Sequence, residues 1–115
     1  MASQIANLHV QIVRFVMDHQ PPIVACEFVD ADGHCHTFID KVGIFSEETL
    51  DADSRYPQAG VIRCVLMTEW WDSRGRGLIK INTAEPDQLE STAGLTDFVV
   101  LRGQISATPS RANLR

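Results

Sequence analysis

The alternation of apolar and polar residues predicts strands joined by tight turns. The central stretch, residues 23–45, has two runs rich in β-branched and aromatic residues on either side of Asp30-Ala31-Asp32-Gly33. Glycine tolerates the positive φ that a tight reversal needs, so this stretch predicts a β-hairpin. If the reversal centres on Asp32-Gly33, Cys35 lies opposite Asp30 in the hairpin.

Two longer runs extend the same pattern. Residues 7–17 alternate in two opposite phases, which indicates a strand with a one-residue slip such as a β-bulge produces. A helix with an apolar stripe is the alternative for this run, although its β-branched residues favour a strand. Residues 61–72 predict a long central strand with apolar residues on both faces. Uninterrupted alternation there places Trp70 with Ile62 on one face and Trp71 on the other.

The predicted fold is all-β: a single small antiparallel β-barrel of about six strands with two irregular loops. Further strands are predicted near residues 78–83 and 96–102, and the irregular loops over residues 46–60 and 84–94. The chain does not alternate strands with long helices, so a parallel doubly wound sheet is excluded. A closed or nearly closed barrel is favoured over a sandwich because closure removes sheet edges. The domain spans residues 1–115, with residues 103–115 expected to form a loose tail.

Composition and charge narrow the class of protein. A chain of 115 residues with 44% hydrophobic residues has the size of one globular domain. Its net charge of −5 disfavours binding to nucleic acid and to anionic membranes, and leaves a basic protein partner open. No apolar run is long enough for a bilayer span, and residues 1–4 lack the features of a signal peptide. We therefore expect a cytoplasmic protein with no membrane contact.

The three cysteines are expected to be reduced thiols. In the predicted hairpin Cys26 lies opposite Ile39, which separates it from Cys35 by about 13 Å and exceeds the Cα distance of a disulfide. Cys64 falls within an apolar alternation and is predicted to be buried and chemically inert.

His34 and His36 are the candidate metal ligands. Two histidines at positions i and i+2 of a strand share a face and can both bind a divalent ion. A complete site needs further ligands, for which His9, His19 and Asp40 are candidates. The plainer interpretation is a surface-facing pair beside a turn. Metal binding, or metal-dependent enzyme activity through His34 and His36, is therefore the second functional hypothesis.

The first functional hypothesis is a non-enzymatic module that docks on a protein or small-ligand partner, or on a second copy of itself. Residues 46–60 form an acidic loop whose carboxylates suit a basic partner, and Tyr56-Pro57 is expected to hold this loop down. Aromatic residues commonly anchor interfaces. The predicted binding residues are Glu47, Glu48, Asp51, Asp53, Tyr56 and Trp71.

Other chemistry has weaker support. The sequence Arg74-Gly75-Arg76 after Trp70-Trp71 is a basic and aromatic mixture like that of single-strand nucleic-acid binders, but the acidic net charge opposes this use. No glycine-rich phosphate loop, Ser-His-Asp arrangement or close carboxylate pair is visible in the sequence. We therefore assign no catalytic residue and expect no cofactor.

Four short phrases resemble those of small uncharacterised bacterial all-β proteins. The strand-and-turn plan is also similar to the β-barrel domains of translation elongation factors of the Tu type. This resemblance implies a module that docks on something larger, and it carries over no catalytic residue because the chain has no GTPase domain. The phrases are His36-Thr37-Phe38-Ile39-Asp40-Lys41, Tyr56-Pro57-Gln58-Ala59-Gly60-Val61-Ile62, Glu90-Ser91-Thr92-Ala93-Gly94 and Thr96-Asp97-Phe98-Val99-Val100.

Overall fold

Antiparallel strands make up most of the fold. A computed structural model describes residues 4–107 of the chain. The elements in chain order are β1 (Ile5–Met17), β2 (Ile23–Val29), β3 (Cys35–Lys41), α1 (Val42–Phe45), β4 (Gln58–Trp71), β5 (Gly77–Asn82), β6 (Asp97–Leu101), a 3-10 turn (Arg102–Gln104) and β7 (Ile105–Ala107). The all-β prediction is confirmed. Both helical segments in the described residues are far too short to cross a bilayer.

The strands form one sheet that curls into a half-barrel. The strand order is β3-β2-β1-β4-β5-β6, every neighbouring pair is antiparallel, and β7 pairs with β1. β1 joins the two halves of the sheet because its first part pairs with β4 and its last part pairs with β2. The predicted barrel is thus a barrel-like sheet whose outer strands are β3 and β6.

β1 bends through two irregularities. Its register with β2 shifts between Ile12 and Arg14 and again between Phe15 and Met17. Extra residues of this kind increase the local twist and turn the strand, which lets β1 leave β4 and continue along β2. The predicted slip within residues 7–17 is confirmed, and the helical alternative for this run is wrong.

Aromatic rings fill the space between the β2–β3 hairpin and β6. The ring of Phe98 on β6 lies 5.2 Å from that of Phe28 and 4.7 Å from that of His36, measured between centroids. The backbone N–H of Ala31 donates to the Val99 oxygen at 2.9 Å. These contacts bring the two outer strands toward each other, so the sheet wraps around its core. Fully buried core side chains include Leu8, Ile12, Phe38, Phe45, Ile62 and Ile81.

The β2–β3 hairpin has a register one residue away from the expected one. Cys35 lies opposite Val29, so its predicted pairing with Asp30 is wrong. The backbone N–H of Asp30 donates to the His34 oxygen at 2.8 Å, which closes a loop with an odd number of residues and moves the centre of the reversal. The positive φ expected at the glycine of this turn is confirmed, since Gly33 has a φ of 87°.

The changed register also changes the residues that lie opposite the cysteines of this hairpin. Cys26 lies opposite Phe38 and not opposite Ile39 as expected, which places it about 10 Å along the strands from Cys35. Burial raises the pKa of Cys26 to about 12 and that of Cys64 to about 11. Both side chains are buried and stay protonated near neutral pH, so they act as small apolar residues.

Two short elements are not visible in the sequence pattern. α1 is a single helical turn directly after β3, and its Phe45 is buried in the core. Residues 105–107, which the sequence places in a loose tail, form β7, where Ile105 lies opposite Leu8 of β1. Three residues are too few to show an alternation, and the partner strand is remote in sequence. The rest of the expected tail, residues 108–115, lies outside the described residues.

The two irregular loops are present, and each is attached to the core by a leucine. Leu50 in the loop before β4 and Leu89 in the loop before β6 are both 3% exposed. The hydroxyl of Thr83 donates to the Leu89 oxygen at 2.9 Å. The hydroxyl of Tyr56 donates to the Asp51 oxygen at 2.7 Å, so Tyr56 holds down the first loop as predicted.

Candidate functional site

A bulge in β4 decides which way its tryptophans point. The register of β4 with β5 shifts between Leu66 and Thr68, which makes Met67 the extra residue. One extra residue reverses the alternation of every side chain that follows it. Trp71 therefore shares the inner face with Leu66, and Trp70 lies on the outer face. The expected placement of Trp70 on the same face as Ile62 is wrong because the sequence pattern does not reveal the bulge.

Trp71 is exposed, and the guanidinium of Arg102 lies over its ring. Its side chain is 69% exposed, and the guanidinium carbon of Arg102 lies 5.7 Å from the centroid of its ring. A cation above a tryptophan ring is attracted by the negative face of the ring. Arg102 also forms an ion pair with Glu69, which precedes Trp71 on the same face. We call Glu69, Trp71, Gly77 and Arg102 the Trp71 platform.

Gly77 makes room for this arrangement. It lies directly opposite Trp71 on β5. A Cβ atom at Gly77 would lie 2.2 Å from Cδ of Arg102 and 3.4 Å from Cζ3 of Trp71. The aliphatic part of Arg102 therefore crosses the bare backbone of β5, at a point that a larger residue would occupy.

A groove of about 200 Å³ adjoins the Trp71 platform. Apart from Glu69 and Arg102, its lining includes Gln4, Leu66, Ile79 and Ile105. Apolar side chains therefore lie next to the ion pair of the platform. Polar and charged groups make up most of the exposed lining of this groove, with apolar side chains between them.

The opposite face of the same strands carries a row of apolar side chains. Trp70, Leu78 and Leu101 lie directly across from one another on β4, β5 and β6. Trp70 and Leu101 are each 36% exposed, and Leu78 between them is buried. Apolar side chains thus lie on both faces of this end of the sheet, and on the inner face they lie beside the Glu69–Arg102 ion pair.

The structure separates Trp71 from the other predicted binding residues. The acidic loop enters β4 at Gln58, and Trp71 is the last residue of this 14-residue strand. The acidic loop and Trp71 therefore lie at opposite ends of β4. The loop carboxylates are exposed, whereas Tyr56 is partly buried and its hydroxyl is used within the loop. The exposed carboxylates are those of Glu47, Glu48, Asp51 and Asp53.

Glu47 borders a groove of about 380 Å³ that also contains Arg63 and Asp87. Arg63 donates two hydrogen bonds to Asp87, from Nε at 3.0 Å and from Nη2 at 2.5 Å. These hydrogen bonds, together with the negative charge of Asp87, raise the pKa of Arg63. The cation in this groove is thus already neutralised by a carboxylate of the same chain.

Asp30 organises the turn of the β2–β3 hairpin. Its Oδ1 accepts the backbone N–H groups of Asp32 at 2.9 Å and His34 at 3.0 Å. Its Oδ2 accepts the Nε2–H of His36 at 2.7 Å, and Nδ1 of His34 lies 3.7 Å from the same oxygen. Asp30 and His36 are largely buried, whereas His34 is exposed. The two predicted metal ligands therefore converge on one carboxylate.

These contacts lower the pKa of Asp30. Partial burial acts to raise it, but the hydrogen bond from His36 and those from the backbone N–H groups of His34 and Asp32 favour the ionised form and together outweigh burial. The carboxylate therefore stays charged while it supports the turn.

Three donor groups lie close together at this turn. The carboxylates of Asp30 and Asp32 and the imidazole of His34 have ligand atoms within 4.8 Å of one another. The two aspartates are not among the metal ligands predicted from the sequence, because their place beside Gly33 indicates a turn, although the spacing Asp-x-Asp-x-His is visible. His36 is connected to this donor cluster by its hydrogen bond to the Asp30 carboxylate. The three-donor cluster found among the described residues does not contain His9, His19 or Asp40.

Replacing Asp30 by asparagine (Asp30→Asn) should lower the free energy of unfolding at pH 7 by about 1–3 kcal/mol, because the Nε2–H of His36 loses its charged acceptor. The pKa of Asp30 is lowered by folding, so its contribution is complete above the pKa of the unfolded chain, about 4, and is lost as pH falls through the folded-state value. Urea unfolding followed by circular dichroism should show wild type and variant converging below about pH 4.

Asp32→Asn is the matched control for this experiment. It removes the same charge from an exposed position of the same turn, so its effect on unfolding should stay within about 0.5 kcal/mol. An Asp30→Asn variant as stable as wild type at pH 7, or a difference that persists unchanged in acid, would contradict the stated role of Asp30.

Gly77→Ala should displace Arg102 from Trp71 with a small effect on stability, because the new methyl group meets a flexible side chain. Acrylamide quenching of tryptophan fluorescence should then increase, since Trp71 loses the cation above its ring. Gly103→Ala is the control, because a Cβ at Gly103 meets no atom within 4 Å. Equal quenching in wild type and Gly77→Ala would show that Arg102 does not shield the ring.

Comparisons with known proteins do not assign this chain to a family. No protein family, curated protein or solved structure matches this chain. The resemblance to small bacterial all-β proteins and to elongation-factor barrels therefore stays an expectation from the sequence.

Proposed function

We propose that this chain is a non-enzymatic interaction module that docks on a protein partner through the Trp71 platform. The observation that carries the proposal is a tryptophan that is 69% exposed and yet oriented by Arg102. Tryptophan and arginine are the residues most enriched among those that dominate binding energy. A contact that favours one orientation of the free side chain reduces the conformational entropy that is lost on binding. Partners in this proposal include a second copy of the chain.

The surroundings of the platform support a contact surface of useful size. The groove beside Arg102 supplies apolar side chains on the inner face, and Trp70 and Leu101 supply them on the outer face. Exposed apolar residues grouped in this way are typical of interaction sites. A partner that covers the hairpin end would bury Trp71 at the centre of such a surface.

The acidic loop is a separate candidate contact. Its exposed carboxylates, from Glu47 to Asp53, suit a basic surface, but they lie at the far end of β4 from Trp71. We place this docking activity in the cytoplasm, where the exposed thiol of Cys35 stays reduced.

Trp71→Ala should abolish or greatly weaken partner binding without unfolding the protein, because Trp71 packs mainly on the surface. Affinity purification from cells of the native host, followed by quantitative mass spectrometry, compares wild type with the variant. Ile39→Ala, which also truncates an exposed apolar side chain on a strand, is the matched control. Proteins retained by wild type and Ile39→Ala but lost with Trp71→Ala would be the partners. Retention of the same proteins by all three baits would contradict the proposal.

A second candidate function is metal binding at the turn of the β2–β3 hairpin. The observation that favours it is the set of donor atoms of Asp30, Asp32 and His34 within 4.8 Å of one another. Imidazole together with carboxylates suits a divalent transition ion such as Zn²⁺. His36 would not bind the ion itself but would orient Asp30 through its hydrogen bond. A metal-dependent activity would then centre on His34 and His36.

This second function predicts that the purified protein binds about one Zn²⁺ per chain, measured by isothermal titration calorimetry. His34→Ala should remove this binding, since it deletes the imidazole of the cluster. His19→Ala is the control, because the Nδ1–H of His19 donates to the Pro21 oxygen at a different turn. Absence of stoichiometric Zn²⁺ binding, or equal losses in both variants, would rule out this function.

A further inference from the structure

We infer that residues 108–115 extend β7 along the groove beside the Trp71 platform, so that the chain itself closes this groove. Arg111 in this segment would pair with Glu69. The inference goes beyond the proposed docking function, because the occupant of the groove belongs to this chain and is not a partner. A partner on the Trp71 platform would find the groove closed and would have to displace the segment to enter it.

The chain leaves β7 at the groove and in the direction of Trp71. Ile105 and Ala107 of β7 both line the groove. Ala107 lies opposite Ala6 of β1, which in turn lies opposite Cys64 of β4. Both β7 and β4 are antiparallel to β1, so they run in the same direction. A continuation of β7 therefore follows β4 toward Trp71.

The register of the strands places Arg111 beside Glu69. Ala107 is level with Cys64 of β4. Glu69 is five residues further along β4, and one of these five is the extra residue of the bulge. Arg111 is four residues after Ala107, so in an extended chain it comes level with Glu69. Side chains at every second position of a strand share a face, so Arg111 faces the groove as Ala107 does.

Pro109 is compatible with an extended strand at this position. The oxygen of Gln4 accepts the N–H of Leu66 at 3.0 Å, so the backbone of Gln4 faces β4. Successive residues of a strand turn their backbone groups to opposite sides, so Asn7 faces β7, where it pairs with Ser106. The same alternation turns the backbone nitrogen of residue 109 away from β1. Proline is tolerated in an edge strand where its missing N–H would face away from the neighbour.

Glu69 can accept a second guanidinium. Its ion pair with Arg102 is made through Oε1, and its side chain is 46% exposed. An ionised carboxylate offers about four acceptor positions on its two oxygens. Arg111 can therefore bind Glu69 while Arg102 keeps its place above Trp71.

The charge of the segment suits this position. Residues 108–115 contain two arginines and no acidic side chain, whereas residues 1–107 have a net charge of −7 from eight basic and fifteen acidic side chains. The end of the sheet that carries Trp71 includes the turn at Asp30, because Nη1–H of Arg76 donates to the Ala31 oxygen at 3.1 Å. Basic and acidic side chains of this end are Arg74, Arg76, Lys80 and Arg102 against Asp30, Asp32, Glu69, Asp72 and Asp97. A basic segment is therefore attracted to this end.

Paramagnetic NMR on the full-length protein tests the inference. A nitroxide is attached to Ala112→Cys, because residue 112 would face away from the groove and its label would not block it. Cys35→Ser removes the exposed thiol, whereas the thiols of Cys26 and Cys64 are buried and do not react. A nitroxide broadens the amide signals of residues that lie near it.

The expected result is a strong loss of amide signal at the groove residues Glu69 and Ile79, with the signals of the acidic loop unchanged. Arg111→Glu should restore most of the lost signal, because it places two carboxylates opposite each other. Arg115→Glu is the matched control, since it makes the same charge change in the same segment beyond the level of Trp71. It should leave the loss in place.

The other outcomes contradict the inference. Unchanged signals at the groove, or losses in the acidic loop instead, would show that the segment does not lie there. Equal recovery in Arg111→Glu and Arg115→Glu would show that only net charge matters. Spin-labelled protein mixed with isotope-labelled protein that carries no nitroxide should show no loss, and the same loss in this mixture would assign the groove to a second copy. Each of these results leaves the docking function of Trp71 standing, since Trp71→Ala tests that function separately.

Discussion

The two long strands of the sheet must bend, and the irregularities that bend them decide where the functional side chains point. β1 has 13 residues and β4 has 14, and both follow the curl of the sheet through register shifts. The shifts at Ile12 and Phe15 pass β1 from one neighbour to the next. The bulge at Met67 turns Trp71 to the inner face, beside Arg102. A single inserted residue thus accounts for the Trp71 platform.

The hydrogen bond that His36 makes from within an aromatic cluster is a second constraint on the fold. The ring of His36 lies against Phe28 and Phe98, and its Nε2–H donates to Asp30. A largely buried N–H without an acceptor costs about 1–3 kcal/mol, so Asp30 supports the cluster as well as the turn. A metal ion at Asp30 would share its carboxylate with His36 and with the backbone N–H groups of the turn. The structural and the ion-binding use of this carboxylate are therefore coupled.

The two aromatic residues predicted as anchors differ in how far the fold buries them. The hydroxyl of Tyr56 is bonded within its own loop and its ring packs against the core, so the fold uses this side chain. Trp71 packs on little besides Arg102 and the backbone of Gly77, and most of its surface meets solvent. An apolar ring that is oriented but not buried gives little to folding. This contrast is why the proposed contact surface centres on Trp71.

The sequence by itself determined the all-β class, the hairpin turn at Asp30 to Gly33 and the slip in β1, because alternation and turn chemistry are local properties. It also singled out Trp71, His34 and His36 as residues with chemistry. Only the tertiary structure decided their partners. Arg102 reaches Trp71 and β7 reaches β1 through pairings between remote parts of the chain, and the bulge in β4 is visible only against β5. Register and contact depend on which strands become neighbours, and no local pattern contains that information.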